Sequence, residues 1–276
     1  TFGKMYVEVW KDGKLLKTLA AGKSAGINIV EMPTAMKKPK APPTNNRTAL
    51  FGSLLGPNFQ AGKYDVKLIK GNETFETSFT LENDPRSQNS ADDRVVQREW
   101  TMRLYNLTEK LAYIYATYGE VETKAKAIAA PKGKLKDALD KLVKKAQTAK
   151  DTLVALGGDG YVDEGEQIAE RVSDTYRQVS SYPGRPTNSQ IKRATLLEEE
   201  VAKIENGLKA LLDKDLTTIN KSLAAAKLAP ITYKTMEEFL KEGEDSAGAT
   251  SGSQFYEYII RHSPLGSNPF GMSKLR

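Results

Sequence analysis

The sequence predicts an α+β chain in three parts. Residues 1–84 form an antiparallel Ig-like β-sandwich, 85–229 an antiparallel bundle of long helices, and 230–276 a flexible linker with an apolar tail. Three observations carry this. Before residue 84, apolar and polar residues alternate, which sends every second side chain to one face of a strand. From Ser90 onward, apolar residues recur at steps of four and three, which keeps one stripe on one side of a helix. Between the two regimes stands Asn83-Asp84-Pro85, and proline biases the residue before it away from helix.

The strands follow in order. Met5, Val7 and Val9 alternate with Tyr6, Glu8 and Trp10, and Asp12-Gly13 is a strong hairpin signal. Leu15, Leu16 and Leu19 belong to the returning strand. Gly22 and Gly26 bracket a turn before a further strand at Ile27–Val30. Pro33, Pro39, Pro42 and Pro43 make residues 33–47 a loop, since proline gives a sheet no donor. After Gly62, Tyr64, Val66 and Leu68 alternate with Asp65 and Lys67. Gly71-Asn72 turns the chain into Phe75, Thr77, Phe79 and Leu81. About six or seven such strands would make a small sandwich.

The helices organise the rest. Trp100, Leu104, Leu107, Leu111, Ile114, Tyr118, Val121, Ala125 and Ile128 form one stripe along a helix capped by Ser90, with Asp92 and Asp93 in its first turn and Pro131 at its end. At about 40 residues it would span roughly 60 Å, and a stripe that long requires other helices to cover it. Leu135, Leu139, Leu142, Ala146, Ala149, Leu153 and Leu156 form a second seam, ended by Gly157-Gly158. A third helix starts near Asp163 and carries Ile168, Val172, Tyr176 and Val179. After Tyr182–Pro186, Thr187 and Gln190 form a capping box for a fourth. Its stripe of Leu197, Val201, Ile204, Leu208 and Leu211 slips one place to Leu212, Leu216, Ile219 and Leu223. A stutter is therefore expected near Gly207–Asp215. Met236, Phe239 and Leu240 suggest one or two helical turns. Gly243–Ser253 reads as a linker, and Phe255, Tyr256, Tyr258, Ile259 and Ile260 form an apolar patch beyond it.

Composition narrows the chemistry. The chain has no cysteine, which removes thiolate and disulfide chemistry, and no apolar run long enough to span a membrane. Its start at Thr1 reads as that of a mature or excised piece. The net charge of +6 is mostly interspersed, as in a soluble surface. Two lysine clusters stand out: Lys37, Lys38 and Lys40, and Lys132, Lys134, Lys136, Lys141, Lys144, Lys145 and Lys150. Neither interleaves with aromatic residues, so no nucleic-acid partner is expected.

No catalytic, cofactor-binding or metal residue is assigned. Asp159, Gly160, Asp163 and Glu166 resemble half of a calcium loop. The first-half positions fall on Ala155 and Gly157, which bring no side-chain oxygen, and Asp163 and Glu166 also suit the N-cap and N3 of the third helix. The single histidine, His262, lies in the tail. There is no G-x-S-x-G elbow and no phosphate loop. Asp92/Asp93 and Glu198/Glu199/Glu200 lie on exposed helix faces rather than across a cleft. Asn46, Asn72 and Asn106 match the N-glycan acceptor pattern, which is common by chance.

The order of motifs resembles a family. Val7–Leu19 with its Asp12-Gly13 turn, Gly22–Val30 and Gly62–Leu81 are followed by Asp84-Pro85 and Ser90-Ala91-Asp92-Asp93-Arg94. Gly157-Gly158, Gly184-Arg185-Pro186-Thr187 with Gln190, and Asp215-Leu216 with Ile219-Asn220 come later. Over about residues 4–231 this is similar to the C-terminal region of bacterial sortilin-like β-propeller exoproteins, often labelled BNR/Asp-box glycosyl hydrolases. In that family an Ig-like module and a helical region follow the propellers. The β part also resembles the Ig-like module of flagellar hook-capping proteins.

The resemblance implies an exported protein of the Bacteroidota, periplasmic or cell-surface/secreted. Its partners would be the upstream propeller domains of the same polypeptide and another cell-envelope protein. Asp245-Ser246-Ala247 looks like the O-glycan acceptor signal used there. The hydrolase label rests on S-x-D-x-G-x-x-W repeats, which this chain lacks, so the activity does not carry over. The expectation is a non-catalytic spacer or protein-interaction module. The alternatives are an accessory part of a glycoside hydrolase and a basic module for an anionic glycan or lipopolysaccharide.

Overall fold

The computed structural model describes residues 3–45, 55–129, 133–157 and 166–242. The chain is mixed α+β, with a four-stranded antiparallel sheet at the N-terminus followed by helices. It divides into two compact units. Of the described residues, one takes in 3–32 and 61–82, and the other 33–45, 55–60 and those between 83 and 240.

In the first unit, β1 (Met5–Lys11), β2 (Lys14–Ala20), β3 (Gly62–Lys70) and β4 (Glu73–Leu81) pair in the order β2-β1-β3-β4. Asp12 and Gly13 both take positive φ, at 50° and 74°, the twist that a two-residue hairpin requires. The register sets Val9 opposite Val66 and Tyr64 opposite Phe79, so the alternation read from sequence collects on one face. Val9 and Tyr64 are its most buried members, and the Tyr64 and Phe79 rings stack at 5.3 Å. On the other face Lys67 pairs with Glu76 across the strands at 2.8 Å.

Among the described residues there are four strands in one sheet. The facing sheet of a sandwich is not among them. The strand expected at Ile27–Val30 is irregular, with Ile27 and Ile29 exposed. The Asn28 side chain explains this locally. Its amide donates to the carbonyls of Ser24 and Gly26 and its oxygen accepts from the Ser24 amide, so a closed loop competes with strand pairing.

The second unit is built around α1 (Ala91–Ala127), about 55 Å of continuous helix. Ser90 caps it as expected, accepting from the Asp93 amide at 3.1 Å. Helices α2 (Lys134–Leu153), α3 (Ile168–Ser180) and α4 (Asn188–Ala210) all pack on it. Leu104, Leu107, Leu111, Ile114, Tyr118, Val121 and Ala125 of the sequence stripe are buried, whereas Trp100 and Ile128 are only partly so. A second row of Thr101, Tyr105, Thr108, Ala112 and Glu122 widens the buried side. Its threonines and glutamate hid it from a search for apolar periodicity.

Three helix ends differ from expectation. Helix α2 stops at Leu153 rather than at Gly157, because Val154 turns extended and is itself buried. Helix α3 starts at Ile168, with Gln167 and Glu170 as its capping box, so Glu166 lies outside the helix and not at N3. Asp163 falls outside the described residues. Helix α1 ends at Ala127, before the also undescribed Pro131.

The Thr187–Gln190 box caps α4 as predicted. The expected stutter is a π-helical turn, Leu211–Leu216, inserted between α4 and α5 (Thr217–Ala225). One extra residue there lets Leu211 and Leu212 both face the core and resets the stripe on Leu216, Ile219 and Leu223. The short helix α6 (Met236–Lys241) closes the described chain.

Residues 33–45 and 55–60 group with the helices, although the chain on either side belongs to the sheet unit. The Arg98 guanidinium donates to the Asn58 carbonyl at 2.8 Å and contacts the Met36 sulfur at 2.7 Å. The Tyr176 hydroxyl donates to the Leu55 carbonyl at 2.8 Å. The Lys40 ammonium donates to the Phe239 carbonyl and lies over that residue's ring. At Gly56 a Cβ would come within 2.0 Å of the Met36 carbonyl oxygen, so only glycine allows the two arms of this segment to meet.

Candidate functional site

Two buried carboxylates and one groove stand out among the described residues of the helical unit, and the two carboxylates are structural in character. Glu122 projects from the buried side of α1 and is only 8 % exposed. Its carboxylate accepts from Lys126 at 2.6 Å, Gln147 at 3.0 Å and Lys150 at 3.0 Å. Burial would push this carboxyl up; the hydrogen bonds from Lys126, Lys150 and Gln147 and the Lys150 charge outweigh it and hold the group at about 2. A carboxylate that weakly basic is a poor proton acceptor near neutral pH, and it instead ties α1 to α2.

Glu170, in the first turn of α3, is 2 % exposed. It accepts from the amides of Gln167 and Ala155, both at 3.1 Å, and from the Thr44 hydroxyl at 3.0 Å. One side chain thus satisfies the start of α3, the end of the α2 segment and the proline-rich segment.

The groove, of about 390 Å³, lies beside the π turn. Tyr118 of α1, Lys145 of α2, Gly207 and Ala210 of α4, and Leu211, Lys214 and Asp215 of the π turn line it. Lys145 and Asp215 pair at 2.6 Å. Tyr118 is 4 % exposed, and burial raises its phenol. The freed carbonyls of the widened turn are partly satisfied from within, since the Thr217 hydroxyl donates to the Leu212 carbonyl at 3.2 Å.

Of the features singled out from sequence, the basic helix is resolved best. Lys136 pairs with Asp140, Lys145 with Asp215 and Lys150 with Glu122, while Lys134, Lys141 and Lys144 make no ion pair among the described residues. Of the half calcium loop, Asp159, Gly160 and Asp163 lie outside the described residues. So do His262, the Asp245-Ser246-Ala247 signal, the apolar tail and Asn46. Among the described residues no group of three or more carboxylates and histidines is placed to hold a metal. Of the carboxylates noted on α4, Glu198 pairs with Arg103 at 2.5 Å and Glu200 with Arg171 at 2.9 Å. Glu122 and Glu170 escaped sequence reading because isolated glutamates on a helix look like solvated ones. Gly207, a poor helix former inside a helix beside a register slip, was the one available signal for the groove. Among the described residues no helix is long and apolar enough to cross a membrane.

Comparison with family models, with curated proteins and with solved structures returned no match.

Proposed function

We propose that this chain is a non-catalytic support and docking region of an exported bacterial β-propeller protein. In this reading the sheet belongs to an Ig-like module and the helices form an antiparallel bundle, as the family resemblance implies. Its partners are the propeller domains upstream and a second protein of the cell envelope. The observation that carries the reading is how the two most buried carboxylates among the described residues are used. Glu122 and Glu170 each take three hydrogen bonds and fasten elements together around a 37-residue helix. Groups held so fully give rigidity rather than turnover.

The test is a screen of the purified chain against chromogenic glycosides, esters, phosphate esters and a peptide pool. Reproducible turnover abolished by one substitution within residues 1–276 would sink the proposal. Turnover only after the upstream domains are restored would favour the accessory-hydrolase alternative. Lys134, Lys141 and Lys144, with no ion pair among the described residues, favour a second reading: a basic module for an anionic glycan or lipopolysaccharide. Salt-sensitive retention on heparin, lost when these three become glutamine, would support it.

A further inference from the structure

We infer that the outer edge of β4 is a docking site for an added β-strand, and that its occupant is residues 255–261 of this chain. The first ground is the edge itself. In the order β2-β1-β3-β4, β4 stands last, and among the described residues only β3 pairs with it. It runs nine residues in unbroken register, and seven of the nine are exposed. Strand edges left in water are ordinarily blunted by lysine, proline or a bulge, because their free N–H and C=O groups recruit another strand. β4 has none of the three. The opposite edge is guarded: β2 carries Lys14 and Lys17 and pairs across the register shift at Val9/Trp10.

The second ground is the apolar face that ends at this edge. The pairs Val9–Val66, Val7–Leu68 and Leu68–Phe75 put these side chains on one side of the sheet. Burial falls off toward β4: Val9 is 1 % exposed and Phe75 53 %. The isoleucines of the neighbouring loop do not cover Phe75, since Ile27 and Ile29 are themselves in solvent. A strand laid along β4 would continue the face beside Phe75 and satisfy the free backbone groups together.

The third ground identifies the occupant. The chain continues past Glu242 for residues 243–276, which lie outside the described residues. Residues 243–253 are small and polar, and such a stretch reaches about 36–40 Å when extended. Residues 255–261 follow, with Phe255, Tyr256, Tyr258, Ile259 and Ile260, the composition that strands favour. On a strand, Tyr256, Tyr258 and Ile260 fall on one side, where they would extend the Phe75 face. Glu257 and Arg261 fall on the other, the side of the Lys67–Glu76 pair. A second copy suits the edge less well. Another β4 brings two glutamates and no cation, whereas this segment carries one charge of each sign.

The full chain has no cysteine, so introduced pairs report contact without background. Tyr258→Cys is combined with Glu73→Cys, Phe75→Cys or Thr77→Cys on one face of β4, or with Thr74→Cys, Glu76→Cys or Ser78→Cys on the other. All six of these β4 positions are exposed. On oxidation with copper phenanthroline, a disulfide within one chain is expected at one or two of the first three. It should form at least about tenfold faster than at any of the second three. Hydrogen exchange is the second measurement. Tyr258→Pro, which disfavours a paired strand, should speed exchange of β4 amides by about tenfold or more and leave β1 unchanged. Equal rates on the two faces, disulfides between chains instead of within one, or β4 exchange unaltered by Tyr258→Pro would overturn the inference. Interchain disulfides would make a second copy the occupant, and unaltered exchange would leave the edge to another protein.

Discussion

Replacing Glu122 with glutamine probes the tie between α1 and α2. The folded carboxyl sits at about 2 against an ordinary 4.5, so its ionised form is favoured by folding. Linkage over that interval corresponds to about 3 kcal/mol, taken as an upper figure. The sign follows from a depressed pKa: the contribution is full above pH 4.5 and fades as pH falls toward 2. Most of it should come through Lys150, whose side chain is 23 % exposed, because Lys126 at 51 % is more screened by solvent. For a unit of this size the loss is roughly 6–12 °C in Tm. Urea and thermal melts of both proteins from neutral pH downward provide the assay. The gap between parent and Glu122→Gln should be widest at neutral pH and close as the carboxyl protonates. A gap that is absent at neutral pH, or that persists unchanged in acid, would refute the argument that the buried carboxylate is charged and paired.

Leu111→Ala, at a fully buried point of α1, should cost about 3–4 kcal/mol by urea denaturation, and a loss below about 1 kcal/mol would displace it from the core. Trp100→Ala should cost less, about 2 kcal/mol, because the ring is only partly buried and lies 3.8 Å beneath the Arg103 guanidinium. Thr187→Ala should remove the α4 cap for about 1 kcal/mol, read as a Tm shift. Deleting Asp213 should convert the π turn to α-helix and leave the unfolding temperature equal or higher, since the stripe then runs at unbroken steps of four and three. Carbon chemical shifts that still report a π turn would contradict this.

The long helices were legible because their apolar residues repeat over many turns, and an error at one position does not move the stripe. The slip from Leu211 to Leu212 was visible for the same reason: only a long regular pattern can register a single extra residue. Ile27–Val30 misled because four residues of strand-like composition cannot announce the Asn28 loop that overrides them. The groove was harder still. Tyr118 reads as one more core aromatic in its stripe, and only the packing of α1, α2 and the π turn shows that its hydroxyl ends beside empty space. Glu170 gathers Thr44 from far away in sequence, which no local pattern encodes.

The path of residues 33–60 bears on how this chain can be cut and recombined. The backbone leaves the sheet unit at Met32, returns to it at Ala61 and leaves again after Glu82, so three covalent passages join the two units before α1 begins. A protease nick inside Pro33–Gln60 would therefore release neither unit. A gene fusion made at residue 84 would export the sheet together with a segment that belongs to the helices, stripping Arg98 of the Asn58 carbonyl and Tyr176 of the Leu55 carbonyl. The sheet is thus not a portable cassette, and an intact transplant has to carry both units or rebuild that segment from a separate peptide.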